Sequence, residues 1–278
     1  MTARISFDTF LAQTEAYLAP HSTAYGRDFN QFSNRMLVES YFALIKAYDS
    51  KVFLELGAHR ATASRNFMRA EPGRFAIAIE ANPFNYKRFC DAVQAGGTIY
   101  RNLALTDETG PVKMILSDTQ RDRNKGHTST ANSILKRASF SDVMEVEVQG
   151  ITFDDLITQA TSDGDIPALI NEPPVLWVDV EGATSQLLKG AQIALPKCLA
   201  VFVEVEAEAL YEGQVTVEGI DAQFRALGFS PILRDCEYQP RQYNIIYVND
   251  CLARADILDP IIMDYEKRVL AFVPPTDE

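Results

Sequence analysis

The stretch KVFLELGAHRATAS, residues 51–64, decides the fold, because it runs from an apolar strand through a glycine turn into the start of a helix. The strand pattern ends at Glu55, and Gly57 and Ala58 form the turn. Such a turn leaves backbone N–H groups uncovered where the helix begins, which suits the polar end of a nucleotide-like ligand. The turn does not match GxGxxG, so it does not favour a pyrophosphate-binding dinucleotide loop.

Strands and helices alternate beyond this stretch. The next strand, RFAIAIE, ends at Glu80, 23 residues after Gly57, and an acid near that distance commonly binds ribose hydroxyls. Asn82 and Pro83 then have the pattern of an N-cap followed by a first-turn proline. Later apolar runs, VLWVDV, LAVFVEVE, FSPIL and YNIIYV, supply further strands. About seven strands interleaved with helices predict an open, mostly parallel α/β sheet that binds ligands at the carboxyl ends of its strands.

Three segments predict additions to this sheet. Residues 6–19 and 28–48 place apolar side chains at helical spacing, so we expect residues 1–50 to be a helical extension packed on the core of a 51–278 domain. The third strand, TIYRNLAL, leads through a short turn into PVKMIL, which we expect to pair with it as a hairpin. Residues 117–142 are the most polar stretch and predict an insertion.

Length and composition limit the class of protein. At 278 residues and 47% hydrophobic, the chain is long enough to bury a full core. Its formal charge of −12, from 38 acidic and 26 basic residues, argues against nucleic acid or an anionic membrane as a partner. MTARISFDTF has no signal-peptide core, and no apolar run reaches the length of a membrane span. We therefore expect a cytoplasmic protein, whose oligomeric state the sequence leaves open.

The cysteines predict neither disulfides nor a zinc site. Cys90, Cys198, Cys236 and Cys251 show no CxxC spacing and mostly lie in apolar surroundings. Buried thiols in a reducing compartment fit this pattern better.

Acidic or amide side chains stand at the predicted ends of five strands. They are Glu55, Glu80, Asn102, the pair Asp179 and Glu181, and the pair Glu204 and Glu206. Because unpaired buried charge is costly, several of these side chains must face a polar cavity.

Five sequence blocks resemble the FkbM family of S-adenosylmethionine-dependent methyltransferases, in the order in which that family has them. FLELGAHRATAS is similar to the family's D-x-G-A-N-x-G cofactor loop, AIEANPFNYKRF to its E-P-N-P segment, and NLALTD to the segment after its third strand. ITFDDL resembles T-L-D-D-L, and WVDVEGATSQLLKGA resembles K-I-D-V-E-G-A-E-x-x-V-L-K-G-A, the most specific block. The resemblance runs from about Lys51 to Val248 and implies the Rossmann-like fold of class I methyltransferases.

The resemblance also implies a binding site for S-adenosylmethionine. Glu55, Gly57, Ala58 and His59 are expected to line the methionyl group, and Glu80 is expected to accept hydrogen bonds from both ribose hydroxyls. Ala81 and Asn82 belong to the same segment as Glu80. Asn102 and Ala104 are expected to flank the adenine, and Asp179 completes the set of cofactor-binding residues.

Four positions depart from the family pattern. Glu55 replaces Asp, His59 replaces Asn, Ala61 replaces a second Gly, and Trp177 replaces Lys. A glutamate keeps the charge at position 55, and His59 either donates a hydrogen bond to the methionyl end or is a stacked structural histidine. The change at Trp177 removes a cation beside the chemistry, which bears on the choice of acceptor.

Asp179 is the best candidate for the general base that methyl transfer to a hydroxyl requires. Glu181 and Glu204 then orient the acceptor. Alternatively, Asp179 and Glu204 hold a divalent cation such as magnesium, and the sequence does not decide between base and metal. His127, in the polar insertion, is a third possible base.

The resemblance implies an O-methyltransferase that acts on a hydroxyl of a sugar, glycolipid or secondary metabolite. Two competing functions stay open on the sequence. A nicotinamide-dependent oxidoreductase on a similar sheet is disfavoured by the incomplete glycine loop and by DVEGA. A non-catalytic relative that only binds the cofactor is compatible with the altered loop residues.

The insertion at 117–142 is locally basic in an acidic chain. Between 121 and 137, five basic residues stand against one acid, Asp122: Arg121, Arg123, Lys125, Lys136 and Arg137. One interpretation is a solvated surface loop. The other is a lid over the strand ends, in which these side chains bind a phosphate, carboxylate or sulfate of the acceptor. Thr128, Ser129, Thr130, Asn132 and Ser133 would then contact a sugar.

Overall fold

A computed structural model describes residues 5–117, 132–139, 143–168, 171–238 and 240–274. The strands in these residues are β1 Val52–Leu56, β2 Phe75–Ile79, β3 Ile99–Arg101, β4 Ala104–Leu105, β5 Gly110–Ser117, β6 Val143–Ile151, β7 Val175–Val178, β8 Ala200–Glu206, β9 Phe229–Arg234 and β10 Gln242–Asn249. The α-helices are α1 Phe7–Ala47, α2 Thr62–Ala70, α3 Pro83–Gln94, α4 Phe153–Ser162, α5 Thr184–Lys189, α6 Val217–Ala226 and α7 Ala255–Leu270.

Seven strands form one mostly parallel sheet in the order β3-β2-β1-β7-β8-β10-β9, which confirms the predicted architecture. β1, β2, β3, β7 and β8 run parallel, whereas β10 is antiparallel to both β8 and β9. β1 and β7 are neighbours at the centre and are buried along almost their whole length. Their carboxyl ends therefore meet in the middle of one sheet edge, where the sequence places its acidic residues.

Helices cover both faces of the sheet. One apolar layer joins the sheet to α4, α5 and α6 through residues such as Phe153, Leu187 and Phe224. The opposite layer joins it to α1 and α7, and the buried Tyr41 hydroxyl of α1 donates a hydrogen bond of 2.5 Å to the Leu176 carbonyl of β7. α1 thus shares a core with the sheet, while the division of the chain at residue 50 stays a prediction.

The two predicted N-terminal helices are the two arms of α1. Gly26 interrupts this 41-residue helix with φ 55° and ψ −129°, so the chain changes direction there. The sequence analysis did not predict α7, which packs on α1 and contains a helix-disfavouring proline, Pro260. Among the described helices, none combines the length and the hydropathy needed to cross a bilayer.

The predicted hairpin is wrong. The third strand divides at Asn102 into β3, in the large sheet, and β4, which belongs to a second sheet of order β4-β6-β5. β5 pairs antiparallel with β6 from Gly110↔Gly150 to Ser117↔Val143. The long β6 offers a full ladder of hydrogen bonds along β5, whereas the two-residue β4 cannot, so the distant partner replaces the local one.

The cysteine prediction holds only in part. Cys198 and Cys236 are buried, but Cys90 is half-buried and Cys251 is exposed. Cys251 follows β10 in a surface turn, where no apolar layer covers it.

Candidate functional site

A cavity opens at the carboxyl ends of β1, β2 and β7. The predicted site residues that line it are Glu55, Gly57, Ala58, His59, Glu80, Ala81, Ala104, Asp179 and Glu181. Asn82, Asn102 and Glu204 lie outside the lining. The structure therefore brings most of the predicted site together and places three of its members behind the wall.

Gly57 lets β1 and β7 approach each other at the cavity floor. It has φ +85°, and a Cβ at this position would lie 1.8 Å from the backbone oxygen of Asp179. Only a residue without a side chain fits between these two strand ends.

The backbone N–H groups of this turn are not uncovered, contrary to the sequence prediction. Gly57 N–H and Ala58 N–H donate to the Ile79 carbonyl at 3.0 and 2.8 Å, and His59 N–H donates to Glu80 Oε2 at 2.6 Å. The neighbouring strand end thus binds the donors that a ligand was expected to bind. The amides of Gly57, Ala58 and His59 are therefore not available to a ligand at this turn.

Glu55 acts as the cap of α2. Its Oε1 and Oε2 accept hydrogen bonds from Ala63 N–H at 3.3 Å and Ser64 N–H at 2.7 Å, and Ala61 at the N-cap position supplies no side-chain bond of its own. A carboxylate at this end also complements the helix dipole. Burial nevertheless raises the pKa of Glu55 to about 7, with Asp179 adding a smaller increase.

His59 and Ala61 adopt left-handed backbone conformations, with φ 47° and 51°. Asn and Gly, which the family pattern has at these positions, enter this region at less cost than His and Ala. Other contacts hold the strained loop: the Tyr100 hydroxyl donates to the His59 carbonyl, and the His59 ring packs edge-on against Phe89 at 5.0 Å. The imidazole thus lines the cavity and packs on an aromatic ring, so both predicted roles stay open.

Glu80 is buried at the end of β2, not on the surface. Its Oε1 accepts from Asn82 N–H at 2.8 Å. Burial raises the pKa of Glu80 to about 7, although the hydrogen bonds that its carboxylate accepts act to lower it. The Asn82 side chain caps α3, as its sequence pattern predicts, by accepting from Phe84 N–H at 2.9 Å. The Asn102 amide donates to the carbonyls of Glu80 and Ala81 at 2.7 and 3.0 Å. It thus fixes the backbone of this cavity wall without lining the cavity itself.

Apolar side chains form the wall beyond Ala104. They come from the chain around β4, from β5 and from the described part of the insertion: Leu103, Leu105, Met114 and Ile134. The sequence analysis missed Met114 and Ile134. No local signal marks them, because Met114 reaches the site through the pairing of β5 with β6, and Ile134 follows Ser133, which bridges to Ile115 of β5.

Asp179 and Glu181 line the other end of the cavity, and further carboxylates lie close to them outside the lining. We call Asp179, Glu181, Glu204, Glu206 and Glu237 the acid cluster. The first three place a carboxylate oxygen within 4.8 Å of one another. Burial raises the pKa of Asp179 to about 6, and a hydrogen bond from Glu204 opposes the rise. Burial and neighbouring negative charge raise the pKa of Glu181 to about 8 and that of Glu206 to about 7, and move that of Glu204 well above its usual range.

Within the insertion, the structure describes residues 132–139, which we call the strap. The strap lies next to the acid cluster. The Ser133 hydroxyl donates to the Glu181 carbonyl at 2.6 Å, and Ala138 N–H donates to the Leu210 carbonyl at 3.0 Å. Arg137 lies over the Tyr211 ring at 5.6 Å, while Lys136 pairs with the exposed Glu212. The strap thus contacts the chain next to the acid cluster, while the lid role of the insertion stays a prediction. Arg121, Arg123, Lys125, His127 and residues 128–130 lie outside the described residues.

Comparison with known proteins decides the family. Residues 55–231 match the model of the methyltransferase FkbM domain. The chain belongs to the FkbM methyltransferase family. Its sheet is accordingly the Rossmann-like sheet of S-adenosylmethionine-dependent methyltransferases, as the resemblance implied.

Individual relatives of this FkbM protein are distant. The 2-O-methyltransferase NoeI of Sinorhizobium fredii is 24% identical over 178 residues, which cover 61% of this chain and 69% of NoeI. The magnesium protoporphyrin IX methyltransferase of Synechocystis PCC 6803 with bound SAM is 10% identical, with a TM-score of 0.43 over 90% of this chain and 100% of that one. The Methanococcus jannaschii fibrillarin pre-rRNA processing protein is 13% identical, with a TM-score of 0.40 over 72% and 67%.

Trp177 occupies the position where the FkbM pattern has lysine. Its ring stacks on Phe202 with centroids 3.9 Å apart and lines the cavity floor below Asp179. An aromatic stack therefore stands at the position where the resemblance implies a lysine.

The apo FkbM protein should lose stability as pH rises from about 5 to 8. Glu55, Glu80 and Glu206 have pKa values of about 7 in the folded state against 4.5 when unperturbed. Between these values the folded protein keeps protons that the unfolded chain has released, so the stabilisation is present at acid pH and is lost as pH passes 7. The loss is about 3 kcal/mol for each fully shifted group.

Thermal unfolding across this pH range tests the expectation. Glu206→Gln should flatten the pH dependence, whereas Glu212→Gln, an exposed control, should leave it unchanged. A melting temperature that stays constant from pH 5 to 8 would show that the raised pKa values are not present in the folded protein.

Proposed function

We propose that this protein transfers the methyl group of S-adenosylmethionine to a hydroxyl of a sugar, glycolipid or secondary-metabolite acceptor. The observation that carries the proposal is a buried carboxylate oxygen, Asp179 Oδ1, which belongs to a cavity-lining residue and has no hydrogen-bond partner among the described residues. An unsatisfied acceptor at this place fits the removal of a hydroxyl proton. The name of the relative NoeI, a 2-O-methyltransferase, supports transfer to oxygen.

The cavity residues fit S-adenosylmethionine. Gly57 lines the cavity next to Asp179, where a polar methionyl group can lie, and Glu80 lines it with a carboxylate suited to ribose hydroxyls. The apolar wall of Leu103, Ala104 and Met114 suits an adenine ring. When bound there, the cofactor supplies an electrophilic methyl group.

Asp179 is the carboxylate best able to act as the general base. Its pKa of about 6 lies below that of Glu181, about 8, and that of Glu204, which is well above its usual value. Asp179 is therefore expected to release its proton before Glu181 and Glu204 as pH rises, and Glu204 forms a hydrogen bond with it. This arrangement leaves Oδ1 free to accept the proton of the acceptor hydroxyl. A positioned base of this kind contributes about 10²–10⁴-fold in rate.

A divalent cation such as Mg²⁺ is a second candidate for the same carboxylates. The oxygens of Asp179, Glu181 and Glu204 lie within 4.8 Å of one another and are the hard ligands that Mg²⁺ binds. Against this arrangement, Tyr211 donates to Glu181 and Gln242 donates to Glu204, so both residues are already held by neutral donors. Turnover that persists in excess chelator would exclude the metal.

An oxidoreductase and a non-catalytic binding protein can each be told apart from a methyltransferase. Membership of the FkbM family argues against a nicotinamide-dependent oxidoreductase. A non-catalytic relative would bind S-adenosylmethionine without turnover. The direct test is a screen with a radiolabelled methyl group against glycans and cellular extracts. Binding of the cofactor without any labelled product would contradict the proposal.

Replacing Glu80 by glutamine should weaken binding of S-adenosylmethionine by about 10–100-fold, because a charge-assisted hydrogen bond contributes roughly 1.5–3 kcal/mol. Calorimetry measures the affinity, and Glu108→Gln, at an exposed position after β4, is the matched control. Equal affinities for the Glu80 variant and the wild type would refute its role at the ribose.

A further inference from the structure

Arg60 is the single Lys or Arg among the described residues that line the cavity. It lies in the turn between β1 and α2, and it is exposed where the cavity opens to solvent. Within the described ranges its guanidinium forms no hydrogen bond, ion pair or ring contact. The D-x-G-A-N-x-G pattern leaves this position open, so no local signal marks it. An arginine without a partner beside a cavity is free to bind an anion.

S-adenosylmethionine brings one anionic group, the carboxylate of its methionyl part, together with an ammonium and a sulfonium. That carboxylate needs donors, because a charge without a partner is costly in a cavity. The backbone N–H groups of residues 57–59 do not serve, since they already donate to other parts of the chain. Those of Ala63 and Ser64, at the start of α2, donate to Glu55. This leaves side chains as the donors that can match the charge of the carboxylate.

Most of the other ionisable side chains cannot match that charge. Apart from the His59 imidazole, those in the described lining are acids: Glu55, Glu80, Asp179 and Glu181. A carboxyl group supplies no positive charge in either protonation state, and an ionised one repels the cofactor carboxylate. Arg60 stays charged at any physiological pH, and its planar guanidinium donates two parallel hydrogen bonds to a carboxylate. It is therefore the side chain best suited to this group.

We propose that Arg60 binds the methionyl carboxylate of S-adenosylmethionine and so fixes the orientation of the cofactor in the cavity. This inference rests on the proposed function and adds Arg60 to the residues expected at the methionyl group. The guanidinium attracts the carboxylate to the open side of the cavity, which leaves the ammonium and the sulfonium to the acids of the lining. Arg60 acts in binding and takes no part in moving the hydroxyl proton.

The test compares two ligands that differ by one carboxylate. S-adenosylhomocysteine and decarboxylated S-adenosylhomocysteine are titrated by calorimetry into the wild type and into Arg60→Gln. We expect the variant to bind S-adenosylhomocysteine about tenfold more weakly, because it loses charge-assisted hydrogen bonds to the carboxylate. The variant should bind the decarboxylated ligand at least as well as the wild type does, since that ligand has no group for Arg60 to bind.

Two further variants separate the charge of Arg60 from its shape and its place. Arg60→Lys keeps the charge but not the planar fork, so its affinity for S-adenosylhomocysteine should lie between those of the wild type and Arg60→Gln. Arg69→Gln is the matched control, because Arg69 is exposed in the last turn of α2 and lies outside the cavity lining. It should bind both ligands as the wild type does. The emission of Trp177, the sole tryptophan of the chain, shows whether a ligand lies in the cavity that Trp177 lines.

Equal affinities of Arg60→Gln and the wild type for S-adenosylhomocysteine would overturn the inference. An equal loss for both ligands would overturn it as well, because the carboxylate would then not be the group that Arg60 binds. Both results leave the O-methyltransferase proposal standing, since the wild type still binds the demethylated cofactor. If the wild type binds no S-adenosylhomocysteine, the proposed function fails together with the inference.

Discussion

Replacing Gly57 by alanine should abolish binding of S-adenosylmethionine. The new Cβ would lie 1.8 Å from the backbone oxygen of Asp179 and 2.6 Å from its carbonyl carbon. These atoms cannot retreat without disturbing the end of β7, where Asp179 N–H donates to the Leu56 carbonyl at 2.8 Å. The left-handed φ of +85° adds about 1–2 kcal/mol of backbone strain for any residue with a Cβ. The floor of the cavity and the candidate base must therefore shift together.

Gly228→Ala provides the matched control. Gly228 has φ +87°, but a Cβ there would meet nothing within 4 Å. The two variants thus share the backbone strain and differ in the clash. Thermal unfolding reports the stability of each, and calorimetry reports cofactor affinity. A Gly57→Ala protein that binds the cofactor as well as Gly228→Ala does would show that the cofactor does not lie against this turn.

Replacing Asp179 by asparagine should lower turnover by about 10²–10⁴-fold while leaving cofactor affinity nearly unchanged. Asparagine keeps the size of the side chain but cannot hold the proton that the carboxylate accepts. In the wild type, kcat/KM should rise as pH passes about 6, because Asp179 is active when deprotonated, and should level off above that value. The variant should lose this rise.

Asp163→Asn removes an exposed carboxylate at the end of α4 and should behave as the wild type. Assays with and without a chelator then separate the two roles proposed for Asp179. Full activity of Asp179→Asn would exclude Asp179 both as base and as metal ligand. Loss of wild-type activity on chelation, restored by Mg²⁺, would favour the metal arrangement.

The site could be located from the sequence because its parts are local. The strand, turn and helix of residues 51–64 form where the pattern predicts them, and Asn82 caps α3 as its neighbourhood with Pro83 indicates. Glu55 lies near the end of β1, Glu80 and Asp179 follow β2 and β7, and such parallel strands end at one edge of a sheet. The spacing of apolar residues and the place of each carboxylate at its strand end are therefore enough to predict that these side chains meet at the cavity.

The partners of those residues could not be read from the sequence in the same way. Glu55 and Glu80 bind the backbone N–H groups that the glycine turn was expected to offer to a ligand. Asn102 donates hydrogen bonds to two backbone carbonyls outside the cavity lining, and Glu204 forms a hydrogen bond with Asp179 from outside that lining. Whether a side chain faces the cavity or its neighbour depends on how adjacent strands are placed, which no single segment encodes.

The sequence by itself determined the alternation of strands and helices in the large sheet, the edge of that sheet where the site lies, and the family to which the chain belongs. Only the tertiary structure decided that β5 pairs with β6, that Met114 and Ile134 reach the cavity, and that Arg137 is the described cation acting on the acid cluster. The physical reason is the range of the interactions. Hydrophobic periodicity and capping act over a few neighbouring residues, whereas strand pairing, burial and the pKa values of buried carboxylates depend on groups that only folding brings together.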